Sequence, residues 1–362
     1  MNTINPAAQN FIKARLQGKC DILMLTANDW SNTCYRFMKC LEMQKYNCIF
    51  IKLYKHIFNY PEQGIITNVK HTLVSKYPVV INIEDDNFIK LIFEIVKKVK
   101  YIWCHASTIF LFKNIPIFHF DIMKDKIFIV THGGTTYREH PQLVGNIFSK
   151  FASKTLVQCP DLLDLNKSNK QEELIYYPID LNVFTPNFSF KNKDKLVFGH
   201  NPSTSKTKGS SVIIETMKLF KNQLIYIGQQ KEYSSHATEK ERTDWKTQIL
   251  KYKKYDIYIE TINPHINNKP YGEWGNTCLE AIASGCLVIT NSIHINKYIK
   301  WYQNVPPLFI ANNKQELIHQ IQKILSMSRD NILIEKYKQY EWLKKYHSME
   351  KCSERLVKFI KK

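Results

Sequence analysis

No run of the chain approaches the ~18 uncharged apolar residues that a bilayer-spanning helix needs, so nothing in it reads as a membrane span. The N-terminal Met1-Asn-Thr-Ile-Asn-Pro6 lacks a basic stretch followed by an apolar one, and no signal peptide is expected. No internal repeat or low-complexity tract stands out, so neither a repeat array nor a disordered tract is expected. The nine cysteines include no Cys-x-x-Cys pair, and zinc-finger spacing is absent. Without a compact arginine and aromatic stripe or another nucleic-acid module, a nucleic-acid partner is not expected. No Asp-x-Asp or histidine cluster presents itself as a metal site. A Walker A loop is missing too, because its Gly-x-x-x-x-Gly-Lys-Ser/Thr spacing does not occur.

What remains is a globular chain. At 362 residues it is too long for one ordinary hydrophobic core, and two domains of usual size fit it best. A hydrophobic share of 44% with 13% aromatics argues against disorder. The formal charge of +19 is carried mostly by lysine, a mobile point charge suited to long-range attraction of anions. On charge alone that admits nucleic acid, an anionic lipid surface or a phosphorylated substrate; the competing explanation is a composition bias toward Lys, Asn and Ile unrelated to function. Cys48, Cys104 and Cys286 lie in apolar stretches where a thiol serves as a small buried hydrophobe, so a reducing, cytoplasmic setting is the simplest expectation.

Apolar runs alternate with amphipathic segments. Strands are predicted at Asp21 to Leu25, Cys48 to Leu53, Pro78 to Ile83, Tyr101 to Cys104 and Ile127 to Val130. Helices are predicted at Ser31 to Gln44 and Phe88 to Val99. The pattern restarts after a short strand at Leu174 to Tyr177, an irregular crossing and a charged linker. Strands Leu196 to Gly199, Gln223 to Gly228 and Ile257 to Glu260 then interleave with helices Ser210 to Lys218 and Glu241 to Tyr252. Helices follow at Asn313 to Ser326, with Asn313 as cap, Arg329 to His347 and Met349 to Lys361. This is an α/β pattern of two Rossmann-like doubly wound sheets joined near residue 185, whose strand carboxyl ends face a cleft and are the expected binding edges.

Three segments carry chemistry. Tyr271-Gly-Glu-Trp-Gly-Asn-Thr-Cys-Leu-Glu280 reads as a glycine turn entering a short helix, with a glycine stop at Gly285 and a buried strand after it. Glu280 at that place can accept hydrogen bonds from a pair of ligand hydroxyls, or be an ordinary solvent-facing residue of an αβ unit. Gly199 to Ser211 follows a strand and enters a helix. Its backbone donors, with Lys206, Lys208, Gly209 and Ser210, form a candidate diphosphate site, the alternative being an exposed lysine turn capped by Ser210. His132 ends a strand just before Gly133-Gly134; the imidazole suits a sugar hydroxyl or phosphate, or a structural role, and Arg138 is expected to reach an anion from the following turn. His105 holds a similar strand end and reads as structural.

Together these segments resemble the GT-B fold glycosyltransferases, close to the retaining family 4 or group 1 class. The family segment Glu-x-Phe-Gly-x-x-x-x-Glu-Ala-x-Ala-x-Gly-x-Pro-Val is matched by Trp274-Gly275 and by Glu280-Ala-Ile-Ala-Ser-Gly-Cys-Leu-Val288, with Leu287 in the proline place. The first family glutamate falls on Gly272, and Glu273 follows it by one residue. Ile129 to Arg138 resembles the family's strand-end His-Gly segment, and Lys206-Thr-Lys-Gly209 its Lys-Gly phosphate segment. His200 or Asn201 replaces the usual arginine. Thr155 to Leu162 and Ile175 to Pro186 resemble the approach to the domain connection, and Ala27 to Asp29 the first strand-end loop on the acceptor side.

The resemblance implies transfer of a sugar from a UDP-, GDP- or ADP-sugar to a glycan or lipid-linked acceptor, with retention and without a metal or tightly bound cofactor. It implies residues 1–185 on the acceptor side, 186–340 on the donor side, and 341–362 packing back on the first domain. His132, Lys208 and Glu273 are the implied catalytic residues. Lys206, Lys208, Gly209, Ser210, Gly275, Asn276, Thr277 and Glu280 are the implied donor ligands. A non-catalytic sugar-nucleotide or glycan-binding protein, or a sugar-nucleotide epimerase, fits the same scaffold.

Overall fold

The computed structural model describes residues 12, 14–56, 58, 60, 65–66, 69–76, 78–132, 134–163, 165, 172–231, 243–266, 269–270, 273–293 and 295–361. Gly133, Tyr271 and Gly272, residues 166–171 of the polar loop expected over Asn166 to Glu173, and the helix start expected at Glu241 lie outside these residues, while Glu172 and Glu173 of that expected loop belong to a strand. The chain divides into two compact units, Met1–Pro178 with Cys352–Lys362, and Ile179–Lys351.

In the first unit the strands are β1 (Ile22–Thr26), β2 (Cys48–Lys52), β3 (Ile65–Ile66), β4 (His71–Lys76), β5 (Val79–Ile83), β6 (Tyr101–Cys104), β7 (Thr108–Phe112), β8 (Ile115–Pro116), β9 (Ile127–His132), β10 (Lys154–Val157) and β11 (Glu172–Leu174). Seven form a sheet in the order β11-β10-β9-β6-β1-β2-β3, and every pair in it is parallel. The central strands read as uninterrupted apolar runs because helices cover both faces; Ile22 to Leu25 and Tyr101 to Cys104 are all buried. The helix Asp86–Lys98 starts at Asp85, whose carboxylate accepts the Asn87 and Phe88 N–H groups, both at 3.0 Å. The terminal segment from Cys352 docks on this unit. Ser353 accepts from Gln44 at 3.0 Å, and Lys154 donates to the carbonyls of Phe359 and Ile360 at 2.6 and 2.9 Å.

Pro78 to Ile83 is not a strand of the main sheet, contrary to expectation. β5 belongs to a separate mixed sheet, β4-β5-β7-β8, pairing antiparallel with β4 and parallel with β7. The reason is the connection from β6 to β7, which is too short for a helical crossover. Ala106 and Ser107 turn it through left-handed backbone (φ 55° and 53°), so β7 leaves the plane of the main sheet.

The second unit contains β12 (Leu196–His200), β13 (Leu224–Gly228), β14 (Ile257–Ile259), a small hairpin of β15 (His265–Ile266) and β16 (Lys269–Pro270), β17 (Leu287–Thr290) and β18 (Phe309–Ile310). Its sheet runs β13-β12-β14-β17-β18, again parallel throughout. Phe198, Ile257, Ile259, Leu287 and Ile289 meet Ile213 and Met217 of the helix Ser210–Leu219, and Leu317, Ile321 and Ile324 of the helix Lys314–Ser326, in one core. A buried ionic cluster anchors the edge away from the strand carboxyl ends. Asp256 accepts the N–H groups of Val197 and Lys191 at 2.9 and 3.0 Å, with Lys336 Nζ at 3.7 Å. Both partners are fully buried, and burial holds the Lys336 ammonium below its ordinary pKa.

Candidate functional site

The order of the second sheet fixes where a ligand can lie. The chain leaves β12 for β13 on one side, then returns past β12 to β14 on the other. The connections after β12 and β14 therefore diverge and open a crevice at the carboxyl ends of adjacent strands. Lys208 and Glu260 sit on these two connections.

After β12 the chain makes the short helix Ser205–Lys208, turns at Gly209 and enters the helix Ser210–Leu219. The turn needs glycine: φ is +69°, and a Cβ would lie 3.1 Å from Ile262 Cγ1. Lys208 thereby stands at the positive end of the longer helix, whose first N–H groups have no partner within it. His200, at the end of β12, fastens this turn. Its Nδ1 lies 2.8 Å from the Ile259 carbonyl, which can only accept, so Nδ1 carries the proton and Nε2 accepts from the Ser210 hydroxyl at 2.8 Å. Burial drives the His200 pKa down to about 4 and keeps the ring neutral. The Ser210 hydroxyl is thus committed to His200, and what Ser210 offers a ligand is its backbone N–H. Lys206 is exposed, and its carbonyl accepts from Asn263 Nδ2 at 3.2 Å.

The Lys208 ammonium forms an ion pair with Glu260, the first residue after β14. Glu260 is 1% exposed. Its Oε1, besides Lys208, accepts the Thr277 hydroxyl at 3.0 Å; Oε2 accepts the Thr290 hydroxyl, from the end of β17, at 2.8 Å. Thr277 belongs to the first turn of the helix Asn276–Ala283, whose cap residue is Gly275. A Cβ on Gly275 would lie 3.6 Å from Glu260 Oε1, so the start of this second helix also faces the carboxylate. One lysine, one buried carboxylate and two helix starts meet at the crevice.

Glu280 lies on the same helix, nearly buried, and its Oε2 accepts the Tyr252 hydroxyl at 3.5 Å. Asn276 is buried at the helix start. Glu273 is buried, with Oε1 accepting the Ile293 N–H at 3.2 Å. Next to it, Trp274 packs edge-on against Tyr298 and Trp342, which fixes the entry to the helix. Lys208, Gly275 and Thr277 are thus brought together around Glu260. In the sequence Glu260 reads as the last residue of an apolar strand, and the signal that marks it is a carboxylate directly past a buried strand at a switch point.

The first unit has its own switch point, between β1 and β6. Asp29, in the loop after β1, accepts the N–H groups of Cys34 and Tyr35 at 2.8 and 3.0 Å, and burial pushes its carboxyl up to about 6. His105, after β6, bonds Thr33 Oγ1 at 2.9 Å. His132 ends β9 fully buried, stacked on Tyr137 at 4.1 Å and bonded through Nδ1 to Ser107 Oγ at 3.1 Å. Its Nε2 meets no hydrogen-bond partner among the described residues. Burial lowers its pKa, like that of His105, to about 3, so the imidazole is neutral. Arg138 is not available to an anion as expected: it forms a bidentate pair with Asp161 at 2.6 and 3.0 Å, both side chains being largely buried.

Among the described residues no group of three or more His, Cys, Asp or Glu side chains could hold a metal ion, and no helix is long and apolar enough to cross a membrane. All nine cysteines are free and buried.

No family model matches the sequence, and no curated protein matches it. Solved structures do. A glycosyltransferase from Rickettsia africae is similar at 14% identity and a TM-score of 0.60, over 95% of this chain and 98% of that one. Sucrose-phosphate synthase from Thermosynechococcus elongatus is similar at 10% identity and 0.59, over 94% and 98%. Anabaena HepE, solved with UDP and glucose, is similar at 10% identity and 0.58, over 94% and 99%. At such identities it is the fold that is shared, and this chain has the GT-B fold: two mostly parallel, Rossmann-like sheets flanked by helices.

Proposed function

We propose that this protein is a glycosyltransferase that moves a sugar from a nucleotide-sugar donor, a UDP-, GDP- or ADP-sugar, to a glycan or lipid-linked acceptor. The observation that carries the proposal is Lys208 standing before one helix start and beside another, at the crevice of the second sheet. Such a place suits a diphosphate, because backbone N–H groups, aligned helix dipoles and an ammonium all favour negative charge. The likeness to proteins solved with UDP and glucose supports the same ligand class.

The chemistry asks little covalent work of the protein. As the bond between sugar and phosphate breaks, negative charge grows on the leaving diphosphate and the anomeric carbon gains oxocarbenium character. Lys208, with the N–H groups after Gly209 and those of the Asn276 helix start, stabilises that charge, and Lys206 adds long-range attraction. Glu280 accepts from the two ribose hydroxyls. His132, neutral and with Nε2 unpartnered, suits a hydrogen bond to a hydroxyl of the donor sugar, and Glu273 a second; both assignments rest on the resemblance of their segments to family 4. The same resemblance carries retention of configuration. It also assigns deprotonation of the acceptor to an oxygen of the leaving phosphate. The lysine excess is compatible with an anionic lipid surface near the acceptor.

Screening UDP-, GDP- and ADP-sugars for thermal stabilisation, then for release of nucleoside diphosphate with and without acceptors, tests the reading. Stabilisation by one series with acceptor-dependent release is expected. Release without any acceptor points to the epimerase or hydrolase class, and binding with no release to a binding protein.

A further inference from the structure

Glu260 is out of place in an anion site. Its carboxylate is buried, sits against the one lysine that the proposed donor site depends on, and is held there by Lys208, Thr277 and Thr290. A neutral side chain could tie these elements together without the desolvation cost of a buried charge. A carboxylate does something a neutral group does not: it cancels the lysine's charge and repels any anion that approaches.

We infer that Glu260 is a specificity-determining residue that weakens the hold on the nucleoside diphosphate product relative to the nucleotide-sugar donor. The inference rests on the donor-site reading above. Transfer cleaves the bond between sugar and β-phosphate, and the leaving phosphate oxygen becomes free. The product therefore carries up to one more negative charge than the donor near neutral pH. A site made only of an ammonium and helix starts holds the more charged species more tightly, and so retains its product. A fixed negative charge beside that ammonium opposes binding in proportion to ligand charge. A phosphate oxygen bonded to Lys208 Nζ would lie roughly 5 to 6 Å from the Glu260 carboxylate if both kept contacts of about 2.8 Å. At an effective dielectric near 20, repulsion at that range is worth at least about tenfold in affinity per unit of ligand charge.

Glu260→Gln keeps the shape and the hydroxyl acceptor while removing the charge. Calorimetric titration of wild type and variant with the nucleoside, the nucleoside monophosphate, the nucleoside diphosphate and the nucleotide-sugar of the matching base tests it. The expected result is unchanged nucleoside affinity and a gain that grows with ligand charge. The diphosphate should reach at least about tenfold, with a gain several times that of the nucleotide-sugar. Equal changes for all charged ligands, or weaker binding of all four, overturn the inference while leaving the donor site standing. If wild type binds none of the four for any base, the donor-site reading fails and takes the inference with it. Thermal melting reports folding, and Glu260→Met, which also drops the charge at similar volume, replaces the glutamine variant if that one does not melt cooperatively; the same graded gain is required of it.

Discussion

Acidification should destabilise both units of this protein through buried imidazoles, by an amount that follows from named groups. His105, His132 and His200 are at most 1% exposed, and burial depresses their pKa values from 6.5 to about 3, 3 and 4. Below pH 6.5 the unfolded chain takes up protons that the folded rings refuse. The stability they contribute is therefore present above pH 6.5 and lost as pH falls toward 4. Each ring contributes a slope of about 1 kcal/mol per pH unit across that window. Asp29 works the other way. With its carboxyl raised from 3.8 to about 6, the folded state binds a proton between these values that the unfolded state does not, and stability rises on acidification. The first unit holds two of the imidazoles against this one carboxyl, and the second holds His200 alone, so these groups leave each unit a net of about one proton. Between pH 6.5 and 4.5 each should lose about 2 to 3 kcal/mol from them. Urea unfolding from pH 7.5 to 4.5, followed by probes in each unit, measures it, and His200→Gln should flatten the slope of the second unit only. A flat profile in that unit, or a His200 ring resonance that titrates near 6.5 in the native protein, would show that the buried ring does not resist protonation.

Gly285 has φ +92°, and a Cβ there would lie 2.7 to 2.8 Å from backbone atoms of Asn187, so Gly285→Ala should cost at least about 2 kcal/mol in urea denaturation, read in the second unit. The buried pair of Asp256 and Lys336 should respond asymmetrically. Lys336→Met strands the buried carboxylate of Asp256 but leaves it its two backbone donors, so it should cost less, about 1 to 3 kcal/mol. Asp256→Ala should cost about 3 to 5 kcal/mol, because it strands the N–H groups of Val197 and Lys191 together with a buried ammonium. Equal losses in the two variants would show that the ion pair, and not the backbone anchoring by Asp256, is what matters.

Much of the architecture was legible in the sequence because it depends on local, periodic signals. Tyr101–Cys104 and Arg329–His347 have the ends expected of them, the first as a run buried on both faces, the second opened by Ser328, which accepts the Asn331 N–H at 3.2 Å. Edges were harder to read: the strand expected at Leu174 to Tyr177 pairs with β10 earlier, at Glu172–Leu174, although Ile175 still donates to Val157 at 2.9 Å. The side sheet was invisible, since only the left-handed turn at Ala106 and Ser107 takes Thr108–Phe112 out of the main sheet, and non-glycine residues do not advertise that conformation. At the candidate site, Lys208 and Gly209 were legible from a basic glycine turn between a strand and a helix. The occupation of Arg138 by Asp161 and of Ser210 by His200 was not, because each depends on a partner brought close by the sheet topology.

Titration of UDP, GDP and ADP into wild type, Lys208→Met and Glu280→Gln, with thermal melts to confirm that each variant is folded, tests whether this crevice holds a nucleotide-sugar. One of the three nucleotides should bind wild type. Lys208→Met should weaken it by about tenfold or more through the lost phosphate contact, and Glu280→Gln by about tenfold through the lost ribose contact, with the free nucleoside affected only by the second. Wild-type affinity in both variants, or no binding of any of the three to wild type, would contradict the assignment of this crevice to a nucleotide-sugar.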